Sequence, residues 1–122
     1  MKKIKGMSDH PWHLPYDKEA DFLGDAKRWL ELQRRRGIKL IRINERIQQG
    51  YSDLFVCVRG MFVVLELKDN TGKPSQQQLK FIEEMHQAGA IGDVVSTMDE
   101  VKHYIDVALA CTPFKNNDSW EV

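Results

Sequence analysis

Asp53, Glu66 and Lys68 combine residue types and spacing that suit them to chemistry. The last two interrupt the stretch VVLELKDN, residues 63–70, whose Val63, Val64, Leu65 and Leu67 read as a strand buried on both faces. A charge placed there costs on the order of several kcal/mol unless it is paired or holds a metal. Arg59–Gly60 reads as a two-residue hairpin turn whose glycine suits positive φ, which sets Val58 against Met61. The same register puts Asp53 opposite Glu66, with Cβ atoms about 4.5–5.5 Å apart, where like charges repel. Alternation places Phe62, Val64, Glu66 and Lys68 on one face. Two carboxylates and an ammonium thus converge at one end of an apolar strand face. Two readings compete. Lys68 neutralises one carboxylate at a wet ladder end, a pair worth at most about 1 kcal/mol. Alternatively a divalent cation resolves the repulsion, since Mg²⁺ takes hard oxygen ligands from one or two carboxylates, waters and substrate phosphates.

Two further residues point to the same place. Glu19 precedes Phe22 and Leu23 by three and four positions, which puts it on the buried face of its helix. It also suits a first-turn acid that complements the helix dipole. Gln78 precedes Ile82 by four and shares that helix's apolar side, while Ser75–Gln78 fits a capping box. The two roles of Gln78 are compatible. His10 and His13 have no third ligand nearby, and Pro11 and Pro15 disfavour a helix, so they are not read as a metal pair.

The elements that must position these groups follow from periodicity. Residues 1–16 form an irregular arm without a repeat. Phe22, Leu23, Ala26, Trp29 and Leu30 predict a helix from Asp17, an acceptable N-cap, to Arg36, stopped by Gly37. Ile38–Asn44 predicts a strand, Gln48–Gly50 a loop, and residues 52–68 two strands about the Arg59–Gly60 turn. A second amphipathic helix spans Ser75–Ala88 and ends at Gly89. A short strand occupies residues 90–96, a third helix Asp99–Ala110, and a polar tail 111–122. The order is α-β-β-β-α-β-α, an α/β fold with a mixed central sheet flanked by helices. Residues 17–110 are expected to make one domain.

Composition bounds the function. The 122 residues are 42% hydrophobic and 30% charged, a globular mixture, and no apolar run approaches the length of a membrane span. The basic start lacks the apolar stretch of a signal peptide, and Cys57 and Cys111 suggest neither a disulfide nor a zinc framework. A cytoplasmic setting without membrane contact is expected. Eighteen basic residues balance 18 acidic ones, which argues against a general nucleic-acid coat but not against local patches. Lys27, Arg28, Arg34, Arg35 and Arg36 form one such patch and are the candidate DNA-backbone contacts; Lys2, Lys3 and Lys5 form another at the terminus.

The stretch SDLFVCVRGMFVVLELK followed by KPSQQQ resembles the PD-(D/E)XK nuclease superfamily with its restriction-endonuclease-like core, and within it the VRR-Nuc domains. The likeness runs from about Glu19 to Ile105. Asp53 matches the motif aspartate, Glu66-Leu67-Lys68 the E-x-K, Gln78 the following glutamine, and Glu19 the first-helix acid. Residues 88–105 resemble the closing strand and helix. Ser52 stands where the family usually has proline, a departure that bears on loop rigidity more than on ligation.

The resemblance implies a metal-dependent endodeoxyribonuclease that resolves Holliday junctions or other branched DNA. Its Mg²⁺ or Mn²⁺ would be held by Glu19, Asp53, Glu66 and the Leu67 carbonyl, with Asp53, Glu66, Lys68 and Gln78 as the catalytic group. Lys68 would orient or deprotonate water, or meet developing charge. Symmetric double cuts by one small domain further imply a homodimer. Two other readings compete, an inactive nuclease-fold binding module and a nuclease for general DNA or RNA. Retention of Asp53, Glu66, Lys68 and Gln78 together speaks against the inactive module.

Overall fold

The computed structural model describes residues 4–41 and 54–111. Within them lie α1 (Glu19–Leu32), a short 3₁₀ turn (Arg34–Arg36), β1 (Ile38–Ile41), β2 (Leu54–Val58), β3 (Met61–Leu67), α2 (Gln76–Gln87), β4 (Ile91–Val95) and α3 (Met98–Cys111). The strands form one sheet in the order β1-β2-β3-β4. The first two pairings are antiparallel and the last is parallel, the mixed α/β arrangement that the sequence predicts. The whole segment between β1 and β2, residues 42–53 with Asp53 at its end, lies outside the described residues, as does the predicted strand beyond Ile41.

The β2–β3 register is the one the turn demands. Val58 faces Met61 and the ladder runs to Leu54 against Leu65. Arg59 and Gly60 both have positive φ, 49° and 91°, as a type I′ turn requires. Alternation then sorts the side chains. Leu54, Val56, Val58, Val63, Leu65 and Leu67 enter the main core with Phe22, Ala26 and Leu30 of α1 and Val101, Ile105 and Ala108 of α3. The opposite sheet face carries Phe55, Val64 and Glu66, over which α2 lays Ile82 and, edge-to-face on Phe55, Phe81. This backing by helices on both faces accounts for the apolar run of β3.

α1 is shorter than its periodicity suggests. It ends at Leu32, and the three arginines that follow tighten into a 3₁₀ turn closed by Gly37 at φ 80°. Lys18, not Asp17, occupies the N-cap position and supplies no side-chain cap. Asp17 instead accepts a hydrogen bond from the Asn70 side-chain amide at 3.3 Å. Glu19 and Asp21 in the first turn supply the negative charge that a capping side chain would otherwise bring.

The irregular segment before α1 packs on the core, with Met7 and Tyr16 buried. Asp25, itself buried on the apolar face of α1, anchors it. The Asp25 carboxylate accepts from the Ser8 amide at 2.9 Å, from the Ser8 hydroxyl, and from the Tyr16 hydroxyl at 2.7 Å. The Tyr16 ring lies stacked on His10 and on Phe22, and Trp12 meets Trp29 edge-to-face.

Two tyrosine hydroxyls that donate to carboxylates make the fold sensitive to alkali. Burial, and then the bond to Asp25, raises the Tyr16 pKa well above the usual range. The bond to Asp93, and then burial, pushes Tyr104 up to about 12. A phenol whose folded pKa is raised stabilises fully below the unfolded value of about 10, and that contribution is lost as pH climbs toward the folded value. Unfolding midpoints measured in denaturant should therefore fall between pH 10 and 12, and the fall should be shallower in Tyr16→Phe and Tyr104→Phe. An identical slope in both variants would exclude these two groups.

Candidate active site

The C-terminal end of β3 carries the candidate site. Glu66 is completely buried on the α2 side of the sheet. A carboxylate at that depth depends on its donors. Lys68, two residues on and therefore on the same face, brings its Nζ to 3.1 Å from Glu66 Oε2. Gln78 donates to the same oxygen through its Nε2 at 2.9 Å. The Lys68 side chain is itself mostly covered, and its Nζ also lies 3.9 Å from Glu19 Oε1.

Each of these groups is fixed by a different element. Lys68 follows β3 directly, and its amide continues the parallel ladder by donating to the Val95 carbonyl at 3.0 Å. Gln78 is the third residue of α2 and closes a complete capping box with Ser75. Its Oε1 accepts from the Ser75 amide at 2.8 Å, and its amide donates to Ser75 Oγ at 3.1 Å. Both sequence readings of Gln78 thus hold at once. One end of the side-chain amide caps the helix and the other end holds Glu66.

Glu19 enters from the first turn of α1, with its side chain 42% exposed rather than buried with Phe22 as the spacing suggests. A backbone clasp sets its approach. The Asn70 amide donates to the Tyr16 carbonyl at 2.9 Å, joining the turn after Lys68 to the segment before Glu19. That turn is stiffened by Asp69, whose Oδ1 accepts from the amides of Thr71 and Gly72 and from the Thr71 hydroxyl. These bonds, that of the Thr71 amide foremost, hold the Asp69 carboxyl below its ordinary range.

The structure therefore brings Glu19, Glu66, Lys68 and Gln78 together, with the Leu67 carbonyl between Glu66 and Lys68 in the chain. Asp53 lies outside the described residues, as does its predicted pairing with Glu66; the described ladder ends one pair short, at Leu54 and Leu65. Among the described residues no three Asp, Glu, His or Cys side chains gather as a metal set. The donors at hand are nevertheless of the right class. Two carboxylates flank one ammonium, an oxygen-rich arrangement that suits Mg²⁺ or Mn²⁺ rather than a thiolate-seeking ion.

The arginine-rich segment occupies the other end of the strands. Gly37, just after it, accepts from the Arg59 amide at the hairpin tip. Arg36 is held by Gln33 at 2.9 Å and lies 3.7 Å from Asp106, and the Arg28 guanidinium covers Gly6. Sequence reasoning missed the Asp25 anchor and the Tyr16–Asn70 clasp. Asp25, a charge at the same helical spacing as Phe22 and Trp29, was the available signal.

No family model and no curated protein sequence matches the chain. A solved structure described as a VRR_NUC domain does. The match has 27% identity and a TM-score of 0.55 and covers 68% of this chain and 92% of that one. No helix among the described residues is long and apolar enough to cross a membrane.

Gln78→Glu separates the two jobs of this side chain. The capping acceptor remains, but a carboxylate oxygen replaces the Nε2 donor facing Glu66. Stability at pH 7 should fall by about 1–3 kcal/mol. Crowding of two carboxylates raises a folded carboxyl pKa, so the deficit should shrink as pH drops toward the unfolded value and grow as pH rises. Chemical denaturation at pH 4.5 and 7.5 reads this; an equal deficit at both would refute the contact. With β3, its following lysine and the glutamine of the next helix arranged in this way, the chain has the VRR-Nuc fold, that of a family of nuclease domains.

Proposed function

We propose that the protein is a metal-dependent endodeoxyribonuclease that hydrolyses phosphodiester bonds in branched DNA, Holliday junctions among them. The observation that carries this is the complete burial of Glu66 with Lys68 Nζ and Gln78 Nε2 on one of its oxygens, within a VRR-Nuc fold. A merely structural ion pair at a strand end gains little from so much burial, whereas a reaction site gains a dry and fixed electrostatic environment.

In this reading Glu19, Asp53, Glu66 and the Leu67 carbonyl would hold one or two Mg²⁺ or Mn²⁺ ions, which would supply Lewis-acid activation of water and offset charge on phosphate oxygens. Lys68 acts as a cation. Its Nζ lies between the Glu66 and Glu19 carboxylates, and in this reading it meets negative charge on the phosphate. Gln78 is a positioning residue that fixes the carboxylate plane of Glu66, its own orientation being set by the Ser75 cap. Two symmetric cuts across a branch need two such sites, and a twofold homodimer supplies them.

Purified protein incubated with four-way junction, flap, nicked duplex and single-stranded DNA tests this. Cleavage should require Mg²⁺ or Mn²⁺, stop in EDTA, and fall by about 10³-fold or more in Glu66→Ala. Lys68→Ala should lose about 10²–10³-fold, mainly in kcat. Cutting in EDTA, or cutting untouched by Glu66→Ala, would overturn the mechanism. No cutting of any substrate would favour a binding module.

A further inference from the structure

The sheet face that bears Glu66 is only partly covered by α2. The helix lies over β3 and β4 and reaches β2 through Phe81 on Phe55. Toward the hairpin tip, Lys39 of β1, Cys57 of β2 and Phe62 of β3 form one cross-strand row on this same face. Lys39 is exposed and Phe62 is 42% exposed.

Around that row is a shallow basin of about 480 Å³, lined by Arg34, Arg35, Lys39 and Arg59 with Gly37, Ile38, Cys57 and Gly60. Among the described residues its lining includes four cations and no acid. A smaller adjoining hollow shares Arg34 and Lys39 and adds Glu31, so among the described residues cations still outnumber acids across the pair. Arg59 is pre-set, its Nε donating to the Arg36 carbonyl at 2.9 Å. None of the ion pairs among the described residues uses Arg34, Arg35 or Lys39. Three elements distant in sequence thus bring cations to one concave surface, an arrangement that suits successive backbone phosphates.

The basin and Glu66 lie on one sheet face, separated by four or five residues along the strands and by up to two strands across. Strand rise and spacing make that about 13–19 Å. At about 3.4 Å per step of duplex, the interval is roughly four to six base pairs.

We infer that this basin is a second DNA contact, gripping the backbone of one duplex arm some four to six base pairs from the phosphate at Glu66. The inference rests on the nuclease reading for the position of the cut, but not for the contact itself. It recruits Lys39 and Arg59, which the arginine run does not contain, and leaves out Lys27, Arg28 and Arg36. In effect the protein measures arm length, and a branch whose arm ends before the basin forfeits that grip.

The test has two arms. In EDTA, the anisotropy of a labelled 24-base-pair duplex is followed against NaCl for wild type and for the triple variant Arg34→Ala, Arg35→Ala, Lys39→Ala. All three side chains are exposed, so the fold should survive, as circular dichroism would check. The variant should bind at least tenfold more weakly, and its slope of log affinity against log salt should be shallower by about two to three. Wild-type affinity and slope in the variant, or no duplex binding by wild type, would overturn the contact. In the second arm, branched substrates are shortened one base pair at a time. Wild-type kcat/KM should drop once the arm is shorter than the interval, while the triple variant should be low throughout and indifferent to arm length. Equal length dependence in both proteins would overturn the spacing. If wild type binds but cuts nothing, the nuclease reading falls and the anisotropy arm still decides the basin.

Discussion

Glu66 is a negative charge buried without exposure in a sheet whose neighbours are valine and leucine, and much of the local architecture answers to it. Its cost is offset only if donors reach it in good geometry. One donor comes from its own strand and the other from the next helix, so β3 and α2 must meet at one angle and one register. The parallel strand β4 helps to set that angle, since its Val95 carbonyl takes the Lys68 amide. The backbone beyond the strand is then tied to the opposite layer through the Tyr16 carbonyl. A charge in the wrong place for stability thereby organises three elements around itself.

The two faces of the sheet divide the labour. The α1/α3 face holds a continuous apolar core and carries most of the burial. The α2 face is thinner, covered in part, and holds the candidate chemistry. Strain or substitution on the α2 side therefore falls on a smaller share of the buried apolar area, with its polar groups at the edge of a rigid scaffold.

Much of this was legible in the sequence because the relevant signals are local. Arg59–Gly60 admits few turn geometries, and that turn dictates which residues of β2 and β3 face each other. Ser75 and Gln78 announce a cap at fixed spacing, and the interruption of an apolar strand by Glu66 marks a buried charge. What escaped were contacts without periodicity. The arm before α1 has no repeat, and its place is decided by Asp25, a single acid on an apolar helix face that meets residues from elsewhere. The shortening of α1 escaped for a related reason. Three arginines are good helix formers, but they sit where Gly37 must turn the chain into β1, and the tighter 3₁₀ turn wins.

The Gln78 side chain has a consequence of its own. A glutamine amide is nearly symmetric in shape and opposite in chemistry at its two ends, so by itself it could present either end to Glu66. Here the Ser75 amide, which can only donate, claims the oxygen. Which end faces the carboxylate is therefore written into the first turn of α2, and loosening that turn would erase the information without moving any atom of β3. The helix start acts as a key that gives an otherwise ambiguous side chain a single polarity.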